Sequence, residues 1–324
     1  MSNKNIIEQG KVSQLTDLLL MIVPSMFGLN PETNTDNVFQ PKSITENEEE
    51  ITAAAMAEFD QMVQQLRSEN IQIVVCPSRE DSGIITPDAV FPNNWVSFHS
   101  DQIVIYPMKA PNRRAERQLG NVQKALKNSG FLTEGTTLDL SSLENKGQIL
   151  EGTGSLVLER NQKVGFASLS ERTTSSALKE FSQQAGYEIV SFNSVDRNGV
   201  PIYHTNVVMS IGEGFAVICA DAIQDKNEKQ TVLQRLRQLG KEIIEISHDQ
   251  LHDFCGNILQ VKSTDGLTKI IMSKTAYDAF TKEQRGKLSQ HGKLLVVTIP
   301  TIERIGGGSA RCMLAEVFGA DLDG

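Results

Sequence analysis

The sequence predicts an α/β fold built from one small unit that recurs along the chain. Apolar runs of strand length alternate with amphipathic stretches of helical period, and this pattern returns every ~45 to 70 residues. Five such units indicate radial repetition, which leaves only short sheet edges exposed. The predicted elements are strand 18–23, helix 48–68, strands 71–75 and 103–106; helix 113–129, strands 138–140 and 155–158; strand 164–169, helix 171–185, strands 188–192 and 207–211; strand 216–220, helix 227–239, strands 242–246 and 258–261; strand 269–272, helix 274–290, strands 294–299 and 313–318.

The clearest helix start lies in the polar stretch 45–50, which ends in three glutamates. Carboxylates in a first turn interact favourably with the positive end of the helix dipole. No Pro- or Ser-rich linker interrupts the chain, so we predict a single domain over residues 1–324.

Composition narrows the class of partner. Hydrophobic residues make up 39% of the 324 residues and charged residues 22%, as in ordinary globular proteins. The net charge of −9 argues against a nucleic-acid partner. No stretch has the apolar length of a membrane span, and residues 1–5 lack the apolar core of a signal peptide. These features predict a cytoplasmic protein without a nucleic-acid or membrane partner.

Four cysteines lie far apart, with no CxxC pair and no zinc spacing, which suits a reducing compartment. Cys76 and Cys219 each follow an apolar run and are predicted to be core residues. Cys255 stands in a less distinctive segment. We expect neither a metal nor a cofactor.

Cys312 differs from the other three because a run of glycines, 306–308, precedes it and Arg311 is its neighbour. Glycine permits backbone angles and close approaches that other residues cannot reach, and a cationic neighbour favours the reactive thiolate. The alternative is a flexible turn followed by a half-buried cysteine, since free cysteine is often buried.

Three other segments have compositions that are unusual for core strands. Residues 87–95 place two prolines, an acid and two amides around the only tryptophan, which predicts a rigid loop or strand entry. Glu151 begins a glycine-rich turn that lacks the lysine of a phosphate loop. His204 precedes the strand at 207–211 and is suited to proton transfer near neutral pH. In isolation each segment is also compatible with a structural role: a packing anchor at Trp95, a hairpin turn or a structural histidine.

The other four histidines have polar neighbours in the sequence and are predicted to lie in surface loops: His99, His248, His252 and His291.

Together these segments resemble the guanidino-group-modifying superfamily of arginine deiminases, dimethylarginine hydrolases, agmatine deiminases, amidinotransferases and succinylarginine dihydrolase. The resemblance covers nearly the whole chain, and its most specific part is GGG-x-x-RCM at 306–313. It implies a five-bladed α/β propeller, the pentein fold, with pseudo-fivefold symmetry. The stretches FGLNPET, PDAVFPNNW, EGTGS, YHTNV and SARCML further resemble the branch of bacterial citrulline-utilisation hydrolases.

The resemblance also implies roles for individual residues. Cys312 matches the nucleophile and His204 the general acid and base. Glu151 matches the first acid of the family's E-G-G-D turn, which supports the histidine; the turn here reads E-G-T-G, so the second acid is absent.

Substrate-binding positions follow in the same way. Arg113 and Arg172 resemble residues that hold a substrate carboxylate, for which bidentate arginine is well suited. Asp88 would face the substrate's α-amino group or its guanidinium side, and Asn30 and Thr33 would lie at the entrance.

Two departures from the deiminase pattern concern charge. Deiminases place carboxylates where this chain has Asn94 and Asn206, and those acids grip a cationic guanidinium. Replacing both removes about two charge-assisted hydrogen bonds, each contributing about 1.5–3 kcal/mol. A neutral ureido group presents both an acceptor and donors, which an amide can match. The two asparagines therefore favour a substrate such as citrulline.

Several alternatives stay open. The chain could be an arginine deiminase, a dihydrolase that passes arginine through a ureido stage, or an amidinotransferase. It could also be a propeller that only binds ligands, since fold does not imply function. A homodimer is compatible with the sequence, which does not determine the oligomeric state.

Overall fold

A computed structural model describes residues 13–78, 83–133 and 135–322; residues 1–5, discussed above for a signal peptide, lie outside these ranges. The chain forms an α/β fold of short strands and mostly short helices. The strands are β1 (Leu18–Ile22), β2 (Gln72–Cys76), β3 (Val96–Phe98), β4 (Gln102–Ile105), β5 (Phe131–Thr133), β6 (Thr136–Asp139), β7 (Val157–Glu159), β8 (Val164–Ser168), β9 (Glu188–Phe192), β10 (Met209–Ile211), β11 (Phe215–Ile218), β12 (Glu242–Glu245), β13 (Leu259–Lys262), β14 (Thr268–Ser273), β15 (Lys293–Val297), β16 (Ala315–Glu316) and β17 (Ala320–Leu322).

The helices connect strands of the same sheet or lead into the next sheet. The α-helices are α1 (Glu48–Ser68), α2 (Pro111–Arg114), α3 (Leu119–Asn128), α4 (Gly152–Ser155), α5 (Ser175–Ala185), α6 (Thr205–Val208), α7 (Lys226–Gln238), α8 (His248–His252), α9 (Lys274–Ala279), α10 (Lys282–His291) and α11 (Pro300–Gly306). The 3₁₀ turns are Pro92–Asn94, Ser141–Lys146, Ala220–Ala222 and Ala310–Met313.

Five three-stranded sheets share one connectivity. In each, the central strand pairs antiparallel with one neighbour and parallel with the other, and one or more helices connect the parallel pair, which needs a crossover. We call the antiparallel neighbour the antiparallel edge strand. The sheets, with this strand first, are β16-β1-β2, β3-β4-β6, β7-β8-β9, β10-β11-β12 and β13-β14-β15.

The first sheet joins the two ends of the described chain. Its edge strand β16 comes from the C-terminal side, with Leu19 opposite Glu316 and Leu20 opposite Ala315. Strand β17 then pairs antiparallel with β5. The C-terminal segment that follows Cys312 is therefore held in the sheets at both strands.

A short helical or turn segment precedes each antiparallel edge strand. Pro92–Asn94 precedes β3, α4 precedes β7, and α6 precedes β10. A turn ending at Asn257 precedes β13, and Ala310–Met313 precedes β16.

The predicted alternation of strands and helices is confirmed, with two long helices each divided in two. The predicted helix 113–129 is α2 and α3, because Gln118 leaves the helical region at φ −141°. The predicted helix 274–290 is α9 and α10, because Phe280 is extended and Thr281 begins a new capping box with Gln284. The three-residue strand β3 begins directly after residues 87–95, which agrees with the predicted strand entry, although its own bounds were not predicted.

Helix α1 begins where predicted and supports the segment that leads to Cys312. The Asn47 side chain accepts hydrogen bonds from the backbone of Glu49 and Glu50, a cap that stabilises by about 1 kcal/mol. Glu58, more than two turns further along, accepts from the backbone N–H groups of Thr301 at 2.8 Å and Ile302 at 3.0 Å. This carboxylate thereby accepts hydrogen bonds from two backbone N–H groups in the first turn of α11, which have no partner within the helix.

All four cysteines are free and buried, which confirms the prediction for Cys76 and Cys219. The prediction for His99 is wrong. Its side chain is buried, with Ser97 at 2.9 Å from Nε2 and Tyr187 at 3.3 Å from Nδ1, and burial lowers the pKa of this imidazole well below its ordinary value. Within the described ranges, no helix has the length and apolar character to cross a membrane.

Candidate active site

One small cavity receives most of the predicted site residues, although they lie more than 200 positions apart. Its walls also include Asn37, Phe91, Tyr203, Gly306 and Gly308. Glu151 and Asn206 lie behind the wall, against His204 and Cys312 respectively. The predicted residues that line the cavity are Asp88, Asn94, Arg113, Arg172, His204 and Cys312.

The three glycines before Cys312 form a packed turn. Gly307 ends α11 in the left-handed region, at φ +60°. A Cβ atom on Gly306 or Gly308 would lie 2.9 Å from the ring of Phe91. On the other side, the Gly307 carbonyl accepts a hydrogen bond from the Tyr203 hydroxyl at 2.7 Å. The run is glycine because the backbone needs both a left-handed angle and close contact with an aromatic ring, and the predicted alternative of a flexible turn is wrong.

The groups in contact with the sulfur are amides. The Nδ2 atom of Asn257 lies 3.2 Å from Cys312 Sγ, and that of Asn206 lies 3.5 Å from it. Arg311 was expected to support the thiolate, but its guanidinium donates to the Leu314 carbonyl at 2.9 Å and to Glu316 at 3.0 Å. Arg311 is therefore paired with Glu316, and the hydrogen-bond donors that contact Cys312 Sγ are the amides of the two asparagines.

His204 is oriented by Glu151. The Nε2 atom lies 2.8 Å from Glu151 Oε2, and both side chains are buried. Since an ionised carboxylate can only accept, the imidazole proton sits on Nε2 and Nδ1 keeps a lone pair. Burial lowers the pKa of His204, although Glu151 opposes the shift. The imidazole is therefore neutral at pH 7 and can accept a proton at Nδ1.

Glu151 remains ionised in spite of its burial. Desolvation alone disfavours the charge, but Arg172 and His204 together outweigh it and hold the pKa of this carboxyl well below its ordinary value. The other carboxylate oxygen accepts from the backbone N–H of Lys109 at 3.1 Å. The sequence-based pairing of Glu151 with His204 is thus present in the structure as a direct contact.

Arg172 is held by a carboxylate of the long segment between β1 and α1. Asp36 accepts from both Nε and Nη2 of Arg172, and the Thr33 carbonyl accepts from Nη2 at 3.0 Å. The guanidinium also lies over the ring of Tyr203, at 4.9 Å from its centroid. Asp36 was not predicted; no pattern in its neighbourhood distinguishes it from an ordinary loop acid.

Arg113 is also paired with a protein carboxylate. Glu116 accepts from Nε and Nη2, each at 2.9 Å, and both side chains are buried. The third side of the guanidinium donates to Asn94 Oδ1 at 2.7 Å. The i,i+3 spacing between Arg113 in α2 and Glu116, which follows the end of that helix, was a usable signal for this pair. The contacts favour a positioning role for Arg113, and its predicted contact with a substrate carboxylate stays a prediction.

This arrangement determines what Asn94 presents to the cavity. Because Arg113 occupies the amide oxygen, the Nδ2 group is the free end, and it has no hydrogen-bond partner among the described residues. Asp88 Oδ2 accepts from Asn30 at 2.7 Å and from Thr33 at 2.9 Å, while its Oδ1 has no such partner. Asn30 and Thr33 are therefore buried behind Asp88, contrary to the predicted place at the entrance. Asn94 and Asp88 thus give the cavity wall an amide donor and a carboxylate acceptor that have no partner among the described residues.

The E-G-T-G turn requires glycine at both positions. Gly152 has φ +46°, and a Cβ atom there would lie 2.3 Å from the Asn93 carbonyl oxygen. At Gly154 it would lie 2.3 Å from Asn94 Nδ2 and 2.8 Å from His204 Nδ1. The chain thus lacks the family's second acid at the point where Asn94 and His204 lie close to the turn.

Among the described residues, no group of three or more His, Cys, Asp or Glu side chains could hold a metal ion.

Similar folds are found among solved structures. The substrate-bound N-terminal domain of ArgZ, an arginine dihydrolase from the ornithine-ammonia cycle in cyanobacteria, is 17% identical, with a TM-score of 0.70 over 93% of this chain and 98% of that one. AgrE in complex with L-arginine gives 17% identity and a TM-score of 0.70, and the match spans 40% of its length. A dimethylarginine dimethylaminohydrolase with an S-methyl-L-thiocitrulline adduct is 14% identical, with a TM-score of 0.61 over 93% of this chain and 99% of that one. No curated protein sequence matches the chain.

Five like sheets and a cavity with cysteine, histidine and two arginines define the class as the guanidino-group-modifying superfamily, as the motifs predicted. Within it, the chain belongs to the family described as N,N dimethylarginine dimethylhydrolase, eukaryotic, whose model matches residues 23–319. It is a hydrolase that acts on C–N bonds other than peptide bonds, in the amidinotransferase-like group.

Proposed function

We propose that this enzyme is a cysteine-dependent hydrolase of a linear ureido or guanidino amino acid, with L-citrulline as the leading substrate and ornithine, carbon dioxide and ammonia as products. The observation that carries the proposal is the Asn94 amide in the cavity wall: Arg113 holds its oxygen at 2.7 Å, and its Nδ2 group has no hydrogen-bond partner among the described residues. A ureido oxygen accepts such a hydrogen bond, whereas every hydrogen-bonding group of a guanidinium is a donor.

The proposed reaction uses the neutral state of His204. Nδ1 takes the thiol proton of Cys312, and the thiolate adds to the ureido carbon. The C–N bond to the ornithine side breaks, and the departing amine receives the proton from His204. Water then gives a proton to His204 and its hydroxide to the S-carbamoyl carbon. This step regenerates the cysteine and releases carbamic acid, which decomposes to carbon dioxide and ammonia.

Arginine is a second candidate substrate. Asp88 is a buried carboxylate with a free oxygen at the same cavity, and it can accept from a guanidinium N–H group. The ArgZ relative is an arginine dihydrolase, and a dihydrolase must also bind a ureido intermediate. The family adds N,N-dimethylarginine as a third candidate.

The pentein architecture is part of the same proposal. Strand β3 contacts β16, β7 contacts β10, and β10 contacts β13, so the antiparallel edge strands of different sheets lie side by side. These contacts support five blades arranged around the cavity, with one turn from each blade at the centre.

The deciding experiment supplies citrulline, arginine and N,N-dimethylarginine separately and measures ornithine, citrulline, ammonia and dimethylamine. Ornithine and ammonia from citrulline, without dimethylamine from the methylated substrate, are expected. Turnover of arginine to citrulline alone would identify a deiminase and contradict citrulline as the substrate. Cys312→Ala should reduce turnover to background, with Cys219→Ala, another buried cysteine, as the matched control that stays active. Substantial activity in Cys312→Ala would exclude the nucleophile assignment.

A further inference from the structure

Asn257 contacts the proposed nucleophile without belonging to any of the motifs that indicate the family. Its side chain is fully buried, and its Nδ2 atom lies 3.2 Å from Cys312 Sγ. It occupies the turn before β13, the counterpart of the turns that bring Asn94, Asn206 and Cys312 to the site. The fifth sheet therefore also contributes a side chain to the reaction centre.

The orientation of this amide is determined by two backbone groups. Asn257 Oδ1 accepts from the backbone N–H of Arg311 at 3.1 Å, and Nδ2 donates to the Asn206 carbonyl at 3.0 Å. A backbone N–H can only donate and a carbonyl can only accept. A reversed amide would place donor against donor and acceptor against acceptor. The second hydrogen of Nδ2 is thus available to Sγ.

The turn that carries Asn257 is held closely against the segment that carries His204. A Cβ atom on Gly256 would lie 2.2 Å from the Val207 carbonyl oxygen, so only glycine allows this approach. Phe254 takes φ +60°, and the Asn257 backbone donates to its carbonyl at 2.8 Å. The Asn257 side chain consequently links two segments by hydrogen bonds: the one that carries His204 and the one that carries Cys312.

We infer that Asn257 is a further catalytic residue, whose Nδ2–H group stabilises the thiolate of Cys312; this rests on the proposed role of Cys312 as nucleophile. A hydrogen bond to the charged form of a group favours that form. The neighbouring cation Arg311 is paired with Glu316 at 3.0 Å, which leaves the amides as the contact donors to Sγ. The thiol form has a weaker contact, with Asn257 Oδ1 at 3.6 Å, an oxygen that Arg311 N–H already occupies.

The test is a titration of the Cys312 thiolate by its ultraviolet absorbance, taken as the difference between each protein and its Cys312→Ala counterpart. Asn257→Asp keeps the acceptor for Arg311 N–H but places a carboxylate oxygen at the sulfur. It should move the midpoint of thiolate formation upward by at least about one pH unit, a tenfold smaller thiolate fraction near neutral pH. Asn257→Ser, a second variant, should move it upward by less.

Gln260→Ala is the matched control, because it removes a buried amide from β13 that bonds to His291 and Glu213 and does not contact Sγ. Its midpoint should equal that of the unmodified protein. Equal midpoints in both folded Asn257 variants would overturn the inference and leave the proposed function intact. An upward shift in both variants, the uncharged Asn257→Ser included, would support the inference even if citrulline and arginine were not turned over, because no substrate takes part in the titration. A shift in Asn257→Asp alone would overturn it, because the added negative charge by itself disfavours the thiolate.

Discussion

At the scale of single residues, both arginines of the site form ion pairs with carboxylates of the protein itself. Glu116 pairs with Arg113, and Asp36 pairs with Arg172. Breaking a buried ion pair by removing one partner costs about 3–5 kcal/mol, because the other charge stays buried. Activity lost on truncation of Arg113 would therefore report on the fold of the pocket as well as on binding.

Asn94→Asp is the sharpest test of substrate charge. The acid would place an acceptor where the amide now offers a donor. Turnover of citrulline should therefore fall by about tenfold, since leaving a buried ureido oxygen unpaired costs about 1–3 kcal/mol. The kcat/KM values for citrulline and arginine should be measured side by side. An unchanged or improved rate with citrulline would count against a pocket built for a neutral group.

Glu151→Gln tests the acid–base partner. The carboxylate raises the pKa of His204 against burial, so its loss should lower that pKa further. The rate should fall, and the acid limb of kcat/KM should move to lower pH, measured between pH 5 and 8. A limb that stays in place would show that another group titrates there.

At the scale of elements, the same local design appears before each antiparallel edge strand. A short turn ends one or two residues before the strand and directs a side chain to the centre, as with Asn94 before β3 and Asn257 before β13. The rigidity of these turns comes from close backbone contacts at glycine, such as Gly152 against Asn93.

Gly154→Ala tests whether this close contact matters. The new Cβ atom would lie 2.3 Å from Asn94 Nδ2 and displace it or His204, at a cost of about 1–3 kcal/mol for overpacking. We expect lower stability in urea denaturation together with a large loss of kcat. Gly120→Ala is the control: nothing lies within 4 Å of its Cβ position in α3, so it should gain about 0.5–1 kcal/mol and keep full activity. Unchanged kcat in Gly154→Ala would show that the turn tolerates the displacement.

At the scale of the whole molecule, both ends of the described chain contribute to the site. Strand β16, which follows the Cys312 turn, pairs with β1. Helix α11, which precedes that turn, is capped by Glu58 of α1. The nucleophile is therefore held by elements more than 200 residues earlier in the chain.

The buried His204–Glu151 pair predicts acid sensitivity of the fold. The pKa of His204 is lower in the folded protein than its ordinary value of 6.5, so the unfolded chain takes up the proton first and stability falls as the pH drops below that value. The lowered pKa of Glu151 acts in the same direction below its ordinary value of 4.5. Urea midpoints from pH 8 to pH 4 should decrease, and less steeply in His204→Gln between pH 6.5 and 5. Parallel curves for the two proteins would contradict this assignment.

The sequence by itself determined most of the order of strands and helices, because apolar periodicity is readable locally. Its glycine-rich motifs, through their resemblance to the superfamily, also singled out Cys312, His204 and Glu151. It did not reveal Asn257, Glu116 or Asp36, nor that Arg311 is paired with Glu316. Those facts depend on which side chains meet across hundreds of residues. Only the tertiary structure decided them, since a buried charge or amide takes the partner that its surroundings bring within hydrogen-bonding distance.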